Sequence, residues 1–388
     1  MMEYKMDHTV CPQMKKCGGC QMQHLPYARQ LELKQGKVIR LLGQFCRVEP
    51  ILGMEEPYHY RNKVQAAFGT DAHGRIISGV YQSSTHRIVN VDDCLLEDKS
   101  ADAIIVDIRR MLPRYKITAY DERRGTGWLR HVLVKRSFHT GEVMVVLVAA
   151  TPIFKLQKPF LSELLERHPE ITTVVLNVND KFTSLVLGEK EKVLYGDGYI
   201  EDELCGLRFR ISPKSFYQIN PVQTEILYDN AIRFAGQTGK ERVLDAYCGT
   251  GTNGLAASPH AAEVAGVELN RDAVRDAIAN ARRNGVKNCW FTCADAGKFM
   301  TEMAAQGESC DVVFMDPPRA GSDEAFLTAL LQMAPQRIVY VSCNPETLAR
   351  DVTVLVRGGY KVKKVQPVDM FPHTEHIETV GLLTRAGA

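Results

Sequence analysis

The sequence predicts an α/β fold, with a doubly wound, mostly parallel sheet in the C-terminal half of the 388-residue chain. The first observation is an apolar run at 242–246, whose length is typical of a buried parallel strand. Cys-Gly-Thr-Gly at 248–251 ends this run, and a helix-compatible segment begins near Thr252. The second observation is that two further short runs, 263–268 and 290–295, each end in an acidic residue. Sheets of this class bind nucleotide-like ligands where a strand passes through a glycine turn into a helix.

The residues at these strand ends predict an S-adenosylmethionine site. Gly249 and Gly251 allow the backbone to approach a ligand closely. The pattern is G-x-G and not G-x-G-x-x-G, so pyrophosphate binding is not indicated. Glu268 can accept hydrogen bonds from two ribose hydroxyls, and Asp295 is placed to face an adenine amino group. We therefore predict a class I methyltransferase fold, Rossmann-like with a seven-stranded sheet; the alternative is an unoccupied sheet edge with solvated acids.

Composition excludes several classes of protein. Apolar residues make up 45% of the chain and charged residues 24%, as in soluble globular proteins. No apolar run is long enough to span a membrane, and residues 1–5 lack the apolar region of a signal peptide. We therefore expect a cytoplasmic protein, a monomer without a membrane partner. In a reducing compartment the 11 cysteines are expected to be ligands or nucleophiles and not disulfides. The net charge of +2 does not by itself indicate nucleic acid.

A cysteine-rich segment near the N-terminus predicts a metal centre. Cys11, Cys17 and Cys20 follow the spacing C-x5-C-x2-C, and Gly18-Gly19 provides a loop without side chains. A structural zinc ion and a four-iron cluster fit these thiolates equally well. Either would take its fourth ligand from elsewhere in the chain. Cys94 is our candidate, and the competitor Cys46 lies in an apolar segment that is typical of a core.

The sequence is interpreted as two domains. Residues 1–205 are predicted to form an α+β domain that carries the cluster loop and binds RNA, and 206–388 the methyltransferase domain. Basic and aromatic residues are mixed at 58–63, before strands predicted at 63–69 and 76–82, and can hold RNA phosphates and bases. An ordinary solvated strand is the alternative interpretation of that segment. Further basic pairs are concentrated before the catalytic half: Arg123-Arg124, Arg130-His131 and Lys135-Arg136. Strands are also predicted at 171–178 and 182–187, as a hairpin.

Two more strand ends carry chemically distinctive residues. An apolar run ends at Asp316, and Pro317-Pro318 after it force an extended turn that can border a flat substrate base. A second run, 337–343, ends at Cys343, just before a predicted helix. The dipole of that helix can stabilise a thiolate. Near the C-terminus, Glu378 begins an apolar strand that is expected to return to the same edge.

With these residues in place, the chain resembles the RNA uracil-5-methyltransferase family over nearly its whole length. The resemblance is carried by the motifs C-x5-C-G-G-C, F-Y-Q-I-N (216–220), D-A-Y-C-G-T-G (245–251), D-P-P-R (316–319), V-S-C-N-P (341–345) and H-I-E-T-V (376–380). It implies that a 4Fe-4S cluster is held by Cys11, Cys17, Cys20 and Cys94. It implies that S-adenosylmethionine is bound at Gln218, Tyr247, Glu268 and Asp316. It further implies that Cys343 is the nucleophile and Glu378 the base. The chain departs from the family in starting almost at the cluster, where larger members carry an additional RNA-binding barrel, and in having Asn253 where relatives often have an aliphatic residue.

The chemistry of carbon-5 methylation explains the need for these two residue types. Carbon-5 of uracil is too weak a nucleophile to attack a sulfonium methyl. Addition of a thiolate at carbon-6 produces an enolate with electron density at carbon-5. After methylation a base must remove the remaining carbon-5 proton before the thiol can leave. The target base must also be unstacked to reach the sheet edge.

Three alternatives remain open from the sequence. An amino-group methyltransferase also uses an acidic D-P-P turn, but an aromatic residue typically follows it, and here Arg319 follows. A noncatalytic Fe–S RNA-binding factor would not need Cys343 and Glu378. The RNA target is expected to be 23S rRNA by analogy with cysteine-rich bacterial members of the family, and the alternative is the tRNA T-loop.

Overall fold

A computed structural model of the chain describes residues 10–83, 85–183 and 185–385, whose contacts divide into two units. The first unit comprises the chain up to His24, Glu56–Glu203 and Arg210–Lys214. The second comprises Leu25–Glu55, Leu204–Phe209 and the chain from Ser215 onward. Residues 1–5, on which the expectation of no signal peptide rests, lie outside the described residues. Within the described ranges, no helix has both the length and the apolar character to cross a membrane.

The helices and strands are numbered in chain order. The helices are α1 (Met14–Cys17), α2 (Tyr27–Leu42), α3 (Lys99–Met111), α4 (Gln157–Arg167), α5 (Pro221–Ala235), α6 (Thr252–Ala257), α7 (Arg271–Arg283), α8 (Ala296–Ala305), α9 (Glu324–Met333) and α10 (Pro345–Arg357). The strands of the first unit are β1 (Lys63–Thr70), β2 (Ile76–Tyr81), β3 (Ile88–Asn90), β4 (Leu129–Arg136), β5 (Val143–Ala149), β6 (Ile171–Val178) and β7 (Lys190–Tyr195). A hairpin of β8 (Ile200–Leu204) and β9 (Leu207–Ile211) follows. The strands of the second unit are β10 (Arg242–Ala246), β11 (Glu263–Glu268), β12 (Cys289–Cys293), β13 (Val312–Met315), β14 (Arg337–Ser342), β15 (Tyr360–Val368) and β16 (Glu378–Arg385).

The first unit is a seven-stranded sheet in the order β3-β2-β1-β4-β5-β6-β7, with only β5 and β6 parallel. Alternate residues of β1, β4 and β5 form its core together with apolar side chains of α3 and α4. The predicted strand at 182–187 is wrong, because the partner of β6 is β7. The side-chain amide of Asn179 donates to the carbonyls of Leu185 and Val186, which keeps this segment a loop. Its apolar side chains also lie outside the core, since Phe182 is 88% exposed.

The second unit is a seven-stranded sheet in the order β12-β11-β10-β13-β14-β16-β15. All neighbours are parallel except β16, which is antiparallel to both β14 and β15. The strand order reverses beside β10, the strand that leads into the glycine turn, and such a reversal opens a crevice at the carboxyl edge. This sheet confirms the predicted α/β class and its parallel-rich architecture.

Leu25–Glu55 belongs to the second unit, whereas a single boundary at 205 would place it in the first domain. The reason is the buried face of α2. Val38 and Leu42 are fully buried in the apolar core that also contains β10, β13 and α10. The sequence of an amphipathic helix shows which of its faces is buried, but not which sheet packs against that face.

Candidate active site

Three residues in the turn after β10 have positive φ values, a backbone conformation that glycine adopts most easily. Gly249 and Gly251 have φ values of 55° and 82°, in the left-handed region that favours glycine. A Cβ on Gly251 would lie 2.9 Å from Phe291, so a side chain does not fit there. A Cβ on Gly249 would meet no atom within 4 Å, so this turn borders open space. Tyr247 is also left-handed, with φ of 64°, which is a strained conformation for a non-glycine residue.

Glu268 lies against this turn, as the sequence predicts for neighbouring strand ends. Its Oε2 accepts the Gly249 N–H at 3.1 Å, and its Oε1 accepts the Asn270 N–H at 2.8 Å. Two backbone donors therefore fix the carboxylate at the end of β11. A carboxylate has about four acceptor sites. Capacity remains for the hydroxyl groups of a bound ligand.

Asp295 follows β12 at the same sheet edge and also caps a helix. It is the N-cap of α8, and its Oδ1 accepts the Lys298 N–H at 3.0 Å. The residue is exposed, so its second oxygen is accessible from solvent. Gly297, in the first turn of α8, lies close to both Asp295 and Asp323.

Asp245, inside β10, is a buried acid that was not singled out from the sequence. Its Oδ2 accepts the Gly254 N–H at 2.7 Å, and its Oδ1 has no hydrogen-bond partner within the described part of the chain. Burial raises the pKa of this carboxyl to about 8, and the charges of Asp316 and Glu268 add to the increase. In the sequence, Asp245 could have been recognised as an acidic residue between the apolar residues of β10.

Gln218, Tyr228 and Asp316 form a second group at the edge. The side chain of Gln218 makes a hydrogen bond with the Tyr228 hydroxyl, which is buried on α5. Burial raises the pKa of Tyr228, and the charge of Asp316 adds to that increase. Burial also raises the pKa of the Asp316 carboxyl to about 7. Tyr228 was missed from the sequence because its spacing is that of an ordinary core residue.

Cys343 and Glu378 are brought together by strand pairing. In the antiparallel pair β14–β16, Ser342 is the register partner of Thr379. The residue after Ser342 is Cys343, and the residue before Thr379 is Glu378. The two lie next to each other at the end of the ladder, although 35 positions separate them in the sequence.

The electrostatic environment of Cys343 keeps its thiol protonated in the free protein. Burial raises the pKa of the Cys343 thiol to about 11, and the negative charges of Glu378 and Asp316 add to the increase. Arg319 opposes this effect and lowers the thiol pKa. The site therefore contains two acids and one cation around a single sulfur atom.

Glu378 has an environment suited to proton transfer. Its side chain is buried, with the residue only 5% exposed. Burial raises its pKa well above the ordinary glutamate value, Asp316 adds to the increase, and Arg319 opposes it. A carboxylate with a raised pKa is a stronger base than a solvated one.

Arg319 is a functional candidate to which the sequence argument assigned no role of its own, although it belongs to the D-P-P-R motif. Its carbonyl accepts hydrogen bonds from Asn344 Nδ2 at 3.1 Å and Thr347 Oγ1 at 3.2 Å. Asn344 is the N-cap of α10, with Pro345 at the first helical position. The turn that carries Arg319 is thus fastened to the helix that follows Cys343.

The cysteine-rich segment and Cys94 lie in the first unit, apart from these residues in the sequence. Within residues 10–83, 85–183 and 185–385, no group of three or more His, Cys, Asp or Glu side chains has the arrangement of a metal site. The thiols nevertheless affect one another. Burial raises the pKa of Cys20 to about 11, and Cys17 and Cys11 add to the increase, while Arg61 lowers it. Arg61 also interacts electrostatically with Cys94.

Comparisons with known proteins show which family and which relatives the chain as a whole is similar to. A model of the family described as tRNA (uracil-5-)-methyltransferase matches residues 26–386. The chain is 46% identical to an uncharacterized RNA methyltransferase of Oceanobacillus iheyensis, a match that covers 95% of this chain and 81% of that protein. It is 45% identical to one of Halalkalibacterium halodurans, over 96% of this chain and 82% of that protein.

A solved structure covers both units of the fold. The Pyrococcus abyssi tRNA (uracil-54, C5)-methyltransferase, in complex with S-adenosyl-L-homocysteine, matches with a TM-score of 0.79 and 29% identity. The match covers 94% of this chain and 86% of that chain.

Proposed function

This chain belongs to the tRNA (uracil-5-)-methyltransferase family and is an S-adenosylmethionine-dependent RNA methyltransferase acting on carbon-5 of uracil, and we propose that it acts through a covalent bond between Cys343 and the target base. The observation that carries this proposal is the register of β14 and β16, which sets Cys343 beside Glu378. A nucleophile and a base at one sheet edge are the two groups that carbon-5 methylation needs.

In the first step, the Cys343 sulfur adds to carbon-6 of the uracil and leaves an enolate with its electron pair shared to carbon-5. Since the thiol pKa is about 11, the thiol is protonated in the free protein, and its proton passes to solvent water as the thiolate forms. Arg319 lowers that pKa and favours the thiolate. Carbon-5 then takes the methyl group, which S-adenosylmethionine supplies when it is bound.

In the last step, Glu378 removes the proton that carbon-5 still carries. The electron pair of the carbon–hydrogen bond re-forms the carbon-5 to carbon-6 double bond, and the Cys343 thiolate departs. The buried carboxylate, with its raised pKa, is a better acceptor for this proton than a solvated glutamate.

The S-adenosylmethionine site is proposed to lie along the carboxyl edge of the second sheet. Glu268 has acceptor capacity left for ribose hydroxyls, since its backbone contacts take only two positions. The open space beside Gly249 leaves room for a ligand. The residues that we propose for contact with it are Gln218, Tyr247, Gly249, Gly251, Glu268, Asp295 and Asp316.

RNA recognition is proposed for the first unit. Two loops of its sheet lie together, because Glu122 accepts from the Tyr81 hydroxyl and pairs with His86. Three exposed cations lie on these loops, Arg87 on the first and Arg123 and Arg124 on the second. Such a surface binds phosphates without reading the base sequence.

Two RNA targets are tested by one assay. We propose 23S rRNA, as the cysteine-rich segment indicates by analogy with family members. The tRNA T-loop is the second candidate, and the Pyrococcus abyssi relative, named as a tRNA (uracil-54, C5)-methyltransferase, favours it. Total RNA that lacks 5-methyluridine is incubated with radiolabelled S-adenosylmethionine and then separated by size. Label in 23S rRNA supports the first target and label in tRNA the second; label on an amino group, or none, contradicts the proposed reaction.

We propose further that Cys11, Cys17, Cys20 and Cys94 hold a 4Fe-4S cluster. Burial and the neighbouring thiols Cys17 and Cys11 raise the pKa of Cys20, which a positively charged cluster core would offset. Gly19 fits beside it, because a Cβ there would lie 3.2 Å from the Cys17 sulfur. The role proposed for the cluster is structural or RNA-positioning, since methyl transfer moves no electrons to the protein.

A further inference from the structure

The connection between β15 and β16, residues 369–377, ends at the proposed base. Val368, the last residue of β15, is the register partner of Glu378. The loop therefore leaves the sheet beside Glu378 and returns to it at the same place.

An ion pair from α2 fastens the first end of this loop. Lys34 Nζ lies 2.5 Å from Asp369 Oδ1, and both side chains are almost completely buried. Lys34 Nζ also donates to the Phe371 carbonyl at 3.1 Å, and the Tyr27 hydroxyl donates to Asp369 Oδ2 at 2.8 Å. Removing one partner of a buried ion pair is strongly destabilising, so this end of the loop has little freedom.

A second contact from α2 holds the middle of the loop. The His373 N–H donates to Gln30 Oε1 at 2.9 Å, and Gln30 Nε2 lies 3.1 Å from His373 Nδ1. His373 has φ of 68°, a strained conformation for a non-glycine residue that persists only where its surroundings hold it. Gln30 is fully buried, and its two contacts with His373 hold the residue in this conformation.

The start of α5 holds the same loop from another direction. Asn220 Nδ2 donates to the Met370 carbonyl at 2.9 Å, and Gln223 Nε2 donates to the Asp369 carbonyl at 2.9 Å. Three successive carbonyls, at 369, 370 and 371, thus accept from side chains outside the loop. A loop with so many buried contacts serves as a rigid support for the residue that follows it.

We propose that Lys34 and Gln30 are positioning residues for Glu378, so that these two side chains of α2 act on the proton-removal step and not on the attack by Cys343. This role rests on the proposed covalent function. It separates the two steps because Cys343 follows β14, whereas Glu378 is reached through the loop that α2 holds.

The test uses Gln30→Leu and Lys34→Met, with Gln35→Leu as the matched control. Gln35 lies on the same helix and also makes two hydrogen bonds, but to Glu49 and Ile51 instead of the loop. Adduct formation on RNA that carries 5-fluorouridine measures the attack. Adduct persistence on RNA with ordinary uridine measures the release. Circular dichroism and S-adenosylhomocysteine binding verify that each variant is folded. If Lys34→Met does not fold, the result with Gln30→Leu alone decides the positioning role.

In both Gln30→Leu and Lys34→Met, the rate of attack is expected within about twofold of wild type. Release is expected to slow about ten- to hundredfold, so that adduct accumulates on ordinary uridine. The control should match wild type in both steps. Equal loss of attack and release, unchanged release, or the same accumulation in Gln35→Leu each overturns the positioning role. If wild-type protein forms no adduct on 5-fluorouridine, the covalent function itself fails and the positioning role with it.

Discussion

Glu378 adds to the increase in the pKa of the Cys343 thiol, so the carboxylate that begins β16 acts directly on the sulfur that follows β14. A charged Glu378 therefore disfavours the thiolate before attack. In the proposed mechanism, the same carboxylate accepts the carbon-5 proton after the sulfur has bonded to carbon-6. Arg319 lowers the pKa of both the Cys343 thiol and the Glu378 carboxyl, and so partly offsets the effect of burial on each group.

Replacement of the proposed base should separate the two halves of the reaction. Glu378→Gln keeps the size of the side chain but cannot accept the carbon-5 proton. We expect protein–RNA adduct to accumulate on ordinary uridine, with free methylated RNA reduced at least about a hundredfold, as for loss of general base catalysis. Denaturing gels and nucleoside analysis measure the two products. Normal release of methylated RNA by this variant would exclude Glu378 as the base.

Arg319 should set the pH dependence of the attack. Because the Cys343 pKa of about 11 lies above neutral pH, the rate of adduct formation on 5-fluorouridine RNA should rise with pH. Arg319→Gln removes a charge that lowers this pKa, so its profile should move to higher pH. A thiol pKa higher by about one leaves roughly tenfold less thiolate at neutral pH and slows the attack to the same extent. Arg319→Lys keeps the charge and should stay closer to wild type. Measurements use saturating RNA, and coincident profiles for wild type and Arg319→Gln would contradict this role.

Glu268 should contribute to cofactor affinity. Glu268→Ala removes an ionised acceptor, and hydrogen bonds to charged groups contribute about 1.5–3 kcal/mol each. We expect calorimetry with S-adenosylhomocysteine to show an affinity loss of about ten- to hundredfold. Glu302→Ala, at an exposed position on α8, is the control and should bind normally. Unchanged affinity in Glu268→Ala would remove this residue from the site.

The cysteine segment should bind iron and sulfide. Protein purified without oxygen should be brown and contain both elements, and chelation or exposure to air should bleach it. Cys20→Ser should lose the colour and the iron, whereas Cys46→Ser, in the other unit, should keep them. Stoichiometric zinc without iron would replace the cluster with a structural zinc ion.

The sequence predicted the sites where short apolar strands end, because a buried parallel strand leaves a strong local pattern. Cys343, Glu268 and Asp295 were predicted at strand ends in this way, and the structure places Glu268 at the end of β11 and the other two just after β14 and β12. Residues whose role depends on distant packing were not found. Lys34 and Asp369 are 335 positions apart, and only the folded chain joins them.

The same limit applies to the first unit and to Arg319. An apolar stretch containing Phe182 and Leu185 satisfied a strand pattern, yet side-chain hydrogen bonds from Asn179 make it a loop. Arg319 is exposed and lies on a turn, so its sequence context resembles that of any surface arginine. Its importance follows from charges that only the fold places near it.

The most direct test of the covalent mechanism is a trapping experiment with RNA that carries 5-fluorouridine at the target position. After attack and methylation, carbon-5 holds fluorine where Glu378 needs a proton, so release should stall. A stable adduct should appear on a denaturing gel, and peptide mass spectrometry should place it on Cys343. Cys343→Ala should abolish it, whereas Cys293→Ser, at an exposed cysteine in the last position of β12, should form it normally. Methylation of carbon-5 by Cys343→Ala at the wild-type rate would contradict the mechanism.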